Sequence, residues 1–301
     1  MKIQENYIIA VLALFCCLLW GSAFPCIKIG YEWFRIENAA SQIYFAGWRF
    51  CLAGFLVLIL FYVRNHRLPS IQRASVPAVI AQGFLQTTVQ YFFFYLGLAH
   101  TTGAKGALIV GSNVFFSILI AKIIFHEEKL GFKKTAGCLI GFAGVILINL
   151  IPGTLESGFT WNGEGFVLLS AIAYGASNVT TKLITKKETT EAVTAYQLIT
   201  GGLILILSGY ASGGTMAEFT LKSALLFFYM VALSATAFTI WATLLKHNSV
   251  SKVTPYGFSN PVFGTFLSGL FLGERILTWN NFVALIMVSI GIIMVNTEKH
   301  K

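Results

Sequence analysis

Residues Tyr91–Leu130 read YFFFYLGLAHTTGAKGALIVGSNVFFSILIAKIIFHEEKL, and residues Phe238–Leu277, 147 positions further on, read FTIWATLLKHNSVSKVTPYGFSNPVFGTFLSGLFLGERIL. The two stretches align without a gap. His100 meets His247, Lys105 meets Lys252, Ser112-Asn113 meets Ser259-Asn260 and Glu127 meets Glu274. The match continues to Gly144 with Gly291 and Asn149 with Asn296. Upstream, at an offset of 154, Trp20-Gly21 falls on Tyr174-Gly175 and Lys28 on Lys182. One such identity means little; an ordered series at fixed spacing marks a chain made of two copies of one unit. The units are expected at residues 1–153 and 154–301.

Composition says where those units live. Hydrophobic residues make up 56% of the chain, charged residues 11%, and the mean hydropathy is +0.74. A soluble domain carries about 25% charged residues, so this chain cannot dress a surface for water. Apolar runs long enough to cross a bilayer fall at 7–29, 41–63, 76–98, 104–125, 132–151, 163–184, 192–211, 222–245, 253–273 and 279–296. The expected fold is therefore all-α and integral to the membrane, with ten transmembrane helices, five per copy. The linkers leave no room for a soluble domain. The first apolar run is too long for a signal-peptide core and lacks a small-residue cleavage site, so no cleaved signal is expected.

Lys and Arg in the loops set the orientation. With the N-terminus in the cytoplasm, inner segments hold Lys2, Arg64, Arg67, Arg73, Lys129, Lys133, Lys134, Lys186, Lys187, Lys246, Lys252, Lys299 and Lys301, against Arg35, Lys105, Lys222 and Arg275 outside. This bias predicts a plasma-membrane protein with both termini cytoplasmic. It also accounts for the net charge of +9 without a nucleic-acid partner, because the basic residues are scattered rather than grouped.

Five helices per copy has a geometric consequence. An odd count makes the second copy enter from the opposite face, so the copies are related by a pseudo-two-fold axis in the membrane plane. The loop charges agree: the Lys105 loop comes out external and the Lys252 loop internal. Inverted repeats are the architecture of secondary transporters, whose substrate site lies near the midplane between the halves. The plainer reading is a duplicated membrane scaffold.

The chain resembles the EamA-type permeases of the drug/metabolite transporter superfamily over nearly its whole length. The resemblance rests on Trp20-Gly21 in the first helix, Arg49 in the second, Pro261 in the ninth, Gly273-Glu274-Arg275 closing that helix, and Gly291 in the tenth. The first copy departs from the pattern, with Val114 in place of proline and His126-Glu127-Glu128 in place of Gly-Glu-Arg. The resemblance implies a polytopic carrier of the kind that exports amino acids, metabolites or drugs.

Several residues are expected to meet a small-molecule substrate. Gln82, Gln86 and Gln90 recur every fourth residue, on one helix face over about 12 Å. Amides in hydrocarbon need protein or a wet cavity, so the stripe reads as lining of a path or as interhelical glue. Trp20 and Phe24 in helix 1, and their mates Tyr174 and Asn178 in helix 6, each share one face. They read as walls of a central site, with Pro25 loosening the first helix. Asn113 and Asn260, kept in both copies, suit a neutral or zwitterionic ligand or helix–helix bonding. Trp241 aligns with Phe94 of the Tyr91–Tyr95 aromatic run. Arg49, aligned with Gln197, is the one basic residue deep in a span. It either ties helix 2 to its neighbours or takes a substrate carboxylate. Glu127 and Glu274 close helices 4 and 9 as gate contacts or solvated ends.

Other functions lack their residues. The sequence has no Asp, and none of its twelve acidic residues falls mid-membrane, so a buried proton relay is not expected. His66, His100, His126, His247 and His300 lie far apart, and the five cysteines show no CxxC spacing; no metal, cofactor or disulfide is implied. No Walker A loop or selectivity filter is present. An enzyme is not expected; the alternatives to a carrier are an intramembrane enzyme or a non-transporting scaffold. Gly137, Gly141 and Gly144 form a small-residue face for close packing within the half or between the protomers of a homodimer.

Overall fold

A computed structural model describes residues 5–98, 100, 109–125, 131–148, 160–216, 218–272 and 279–297. Among these the secondary structure is helical, with no strand. Ten helices coincide with the ten apolar runs. They are α1 (Asn6–Trp33), α2 (Ala39–Asn65), α3 (Val76–Gly83, Phe84–Val89 and Gln90–Leu98 in succession), α4 (Asn113–Phe125) and α5 (Phe132–Ile148). The second half holds α6 (Trp161–Thr185), α7 (Thr190–Ala211), α8 (Leu221–His247), α9 (Val250–Val253, Thr254–Phe258 and Ser259–Leu272) and α10 (Trp279–Thr297). Counting the described residues alone, five of them, α1, α2, α6, α7 and α8, are long and apolar enough to cross a membrane.

Local chemistry sets the ends. Asn38 accepts from the Ser41 amide at the start of α2, Thr189 from Ala192 at the start of α7, and Thr220 exchanges bonds with Ser223 in a capping box at α8. These side chains satisfy amide groups that a helix start leaves without partners. Several helices break their own regularity, and α6 opens with a π segment over Trp161–Gly165. The middle of α3, Phe84–Val89, is a π turn, and Pro255 opens a 3-10 segment over Thr254–Phe258 in α9.

The packing repeats between halves. α1 lies on α8 and α9, and its counterpart α6 lies on α3 and α4; α2 pairs with α7, and α5 with α10. Exchanging helices 1–5 with 6–10 leaves this pattern unchanged. Glycines permit the closest approaches. A Cβ on Gly21 would come within 2.6 Å of the Phe263 Cβ, and one on Gly175 within 2.6 Å of the Phe116 Cβ. Gly21 aligns with Gly175, and Phe116 with Phe263, so one contact is made twice. Gly137 and Gly141 pack against α10, where a Cβ on Gly291 would meet both. The small-residue face of α5 is therefore used inside the chain, against its own repeat partner.

The outer surface is apolar. Phe15, Ile59, Leu60, Leu207, Phe228, Leu270 and Ile293 are all exposed, as expected of helices whose solvent is lipid and whose backbone bonds are closed internally. A shallow apolar depression bounded by Phe55, Ile59, Tyr62 and Leu68 belongs to this outer face of α2.

Candidate functional site

Aromatic side chains from both halves meet at the interface between them. Trp20 of α1 touches Tyr174 of α6 edge to face, with ring centroids 6.3 Å apart and planes at 89°. It also packs on Phe238 at 5.6 Å and Trp241 at 5.1 Å, both on α8. Phe238 leads to Phe50 of α2 at 6.2 Å, and Phe50 to Tyr91 of α3 at 4.4 Å. The row thus runs Tyr174, Trp20, Phe238, Phe50, Tyr91 across five helices. Tilted and edge-to-face contacts suit the ring quadrupoles. The Trp20 indole Nε1 is buried and has no hydrogen-bond partner.

Beside this row stands a polar chain. Trp241 Nε1 donates to Asn178 Oδ1 at 2.9 Å, Asn178 Nδ2 donates to Ser117 Oγ at 3.0 Å, and Ser117 Oγ donates to the Asn113 carbonyl at 2.8 Å. The chain links α8, α6 and α4, and it uses both ends of the Asn178 amide. In the other half the matching positions are Phe94, Phe24 and Gly264. There Phe24 occupies the space in front of Gly264, where an added Cβ would lie 2.9 Å from its ring. One half closes this corner with hydrogen bonds and the other with an aromatic ring.

The glutamines of α3 divide. Gln82 donates from Nε2 to Gln86 Oε1 at 2.7 Å, to Thr181 Oγ1 at 2.7 Å and to the Ser177 carbonyl at 3.1 Å, and it accepts from the Thr180 hydroxyl. Gln82 and Gln86 therefore belong to a buried network that joins α3 to α6. Gln90, past the π turn, keeps a buried Oε1 with no partner. The wider turn breaks the straight four-residue spacing that the sequence suggests.

Asn113 and Asn260 sit where α4 and α9 begin their regular helices, beside Ser112 and Ser259. Asn113 Nδ2 donates to the Val110 carbonyl at 2.6 Å across that break; Asn260 Oδ1 is buried and without a partner. Both copies thus interrupt a helix at the Ser-Asn pair.

Arg49 is 2% exposed. Its Nε donates to Ser234 Oγ of α8 at 3.0 Å, and its guanidinium lies 5.1 Å from the Phe50 ring centre. Glu127 and Glu274 lie outside the described residues, as do Lys105 and Arg275. Sequence reasoning missed Ser117, Ser234, Phe50 and Phe238. Only Ser117 carried a signal, standing four residues after Asn113 on the same helical face.

The EamA-like transporter family matches residues 7–150 and again 161–297, so its unit occurs twice. The chain belongs to the EamA-like transporter family. This family member is 26% identical over 288 residues to the uncharacterized inner membrane transporter YedA of Escherichia coli K12, covering 94% of this chain and 89% of that protein. An uncharacterized transporter of Archaeoglobus fulgidus is 27% identical over 265 residues, 86% of this chain and 87% of its own. A probable amino-acid metabolite efflux pump of E. coli K12 is 27% identical over 302 residues, with coverage of 94% and 92%. A crystal structure with 16% identity shares the fold at a TM-score of 0.80 over 96% of this chain and 98% of the other. The EamA chain is a membrane protein of a transporter family.

Proposed function

We propose that this protein is a secondary transporter, an exporter or facilitator, that moves a small metabolite across the plasma membrane. Its two inverted five-helix halves, residues 1–153 and 154–301, alternate access to a site between them, and both termini face the cytoplasm. The observation that carries this reading is the meeting of Trp20 with Tyr174, equivalent residues of the two copies, at the interface. The duplicated glycine contacts of Gly21 and Gly175 stand beside it. Two copies that touch through equivalent residues can exchange conformations, and the exchange opens the site to the opposite side.

The substrate is a neutral or aromatic amino acid or an amphipathic compound. Trp20, Phe24, Tyr174 and Trp241 supply apolar walls; Gln86, Gln90, Asn113, Asn178 and Asn260 supply hydrogen-bonding groups. The amino-acid metabolite efflux pump among the relatives supports that class. The interrupted helices α4 and α9 at Ser112-Asn113 and Ser259-Asn260 fit the discontinuous helices that build midplane sites in such carriers. Glu127 and Glu274, each two residues beyond these helices in the sequence, are candidates for gate contacts or structural charges.

Counterflow tests this directly. Proteoliposomes preloaded with a candidate amino acid should draw in labelled amino acid faster than empty ones, and the rate should saturate. Equal labelling with and without preload across a panel of amino acids and amphipathic metabolites would leave the chain a scaffold.

A further inference from the structure

The aromatic row ends at a charge. Arg49 stands ten residues into α2, a helix of 27 residues, about 15 Å from its start at 1.5 Å per residue. It is buried, and no carboxylate among the described residues pairs with it; Arg35, by contrast, pairs with Glu218 at the protein surface. It touches Phe50 and Ser234, and the Phe50 ring packs on Tyr91, which in turn meets Tyr95. Ser234 Oγ takes one of the five guanidinium N–H groups, and its own proton goes to the Met230 carbonyl.

A buried guanidinium held by one neutral hydroxyl is costly, because desolvation is not repaid by a counter-charge. In a membrane protein such a group marks a ligand or ion site by default. The partner half has no equivalent. Gln197, the mate of Arg49, and Thr87, the mate of Ser234, each keep a buried side-chain oxygen without a partner. The charge is thus a feature of one side of the interface. Tyr31 and Tyr95 each keep a buried hydroxyl with no hydrogen-bond partner. Both are available as further donors.

We infer that Arg49 is the anchor for a substrate carboxylate, and that the site takes aromatic monocarboxylates, with the ring on the Phe50–Phe238–Trp20 row and the carboxylate on the guanidinium fork. This assignment rests on the transport reading and specifies, within its amphipathic class, aromatic solutes that carry a carboxylate. Planar two-point recognition of a carboxylate is what the guanidinium geometry provides and an ammonium does not.

The test uses the purified full chain in a neutral detergent, titrated with 3-phenylpropionate and with 3-phenylpropanamide, its uncharged isostere, while tryptophan fluorescence and melting temperature are followed. The carboxylate should bind saturably and at least ten-fold more tightly than the amide. Arg49→Met should abolish that preference and melt no lower than the native chain. Arg49→Gln, which keeps a donor for Ser234, carries the same binding expectation and guards against a folding defect. Equal binding of the two probes, no saturable binding of the carboxylate, or a preference that survives in both variants would overturn the assignment. Displacement of the carboxylate by phosphatidylglycerol would overturn it in favour of a lipid headgroup. Carboxylate binding without counterflow would sink the transport reading alone; counterflow of neutral solutes without carboxylate binding would sink this one alone.

Discussion

Trp20 and Tyr174 occupy the same position in the two copies of the repeat, and their rings meet edge to face at 6.3 Å. Equivalent residues touch one another only at a symmetry axis. If the copies are related by the two-fold axis proposed above, this contact lies beside it, between α1 and α6. Gly21 and Gly175, the next residues along, make matched approaches to Phe263 and Phe116. A side chain at either glycine pushes a helix off its neighbour.

Gly21→Ala and Gly175→Ala should each destabilise the protein by about 1–3 kcal/mol, the usual cost of overpacking a tight contact. Thermal unfolding in detergent reads this out. Because the two contacts are equivalent, the losses should be similar; a large loss at one and none at the other would argue against matched packing.

Trp241→Phe removes the donor to Asn178 Oδ1 and leaves that oxygen buried. The cost expected is about 1–3 kcal/mol, the desolvation penalty of an orphaned polar group. Asn178→Leu combined with Trp241→Phe should cost less than the sum of the single changes, since the orphan disappears with its partner. Additive losses would mean that the bond contributes little.

Gln82→Leu and Gln90→Leu should separate. Gln82 is bonded to Gln86, Ser177, Thr180 and Thr181, so its loss should lower the melting temperature clearly, by about 1–3 kcal/mol of stability. Gln90 carries no bond on its Oε1, and its replacement should leave stability near the native value while changing counterflow rate or affinity. Equal stability losses would place Gln90 in the structural network as well.

Flux should depend weakly on the proton gradient, because no acidic residue was found mid-membrane in the sequence and proton relays use buried carboxylates or histidines. Collapsing the gradient with an uncoupler should leave proteoliposome uptake within about two-fold of its starting rate on that ground. Abolished uptake contradicts the expectation.

How much of this was legible in the sequence differs by residue. The ten helices follow from apolar runs, since every backbone bond in lipid must close within a helix. The interruption of α9 follows from Pro255, but its counterpart at Ser112 has no proline and shows only through the repeat. The four-residue spacing of Gln82, Gln86 and Gln90 was readable; the choice between path and glue was not. It depends on Ser177, Thr180 and Thr181 of α6 standing opposite, and on a π turn that no local pattern announces. Arg49 was visible as a buried charge, whereas Ser234 as its acceptor lies 185 residues away and nothing in either segment points to the other. The corner where Asn178 bonds Ser117 while Phe24 fills the space at Gly264 was half legible: the alignment gives the differing residues, and only the packing gives their exchange of roles.

Opposite orientation of the two halves is the claim on which alternating access depends, and side-specific thiol labelling measures it. In a chain with its five native cysteines replaced by alanine, single cysteines go at Ser70, in the α2–α3 loop, and at Ser212, in the matching α7–α8 loop; both positions are exposed. A membrane-impermeant maleimide added to intact cells should label Ser212→Cys and spare Ser70→Cys, and inverted vesicles should give the reverse. Labelling of both from the same side would contradict the inverted repeat and the transport cycle built on it.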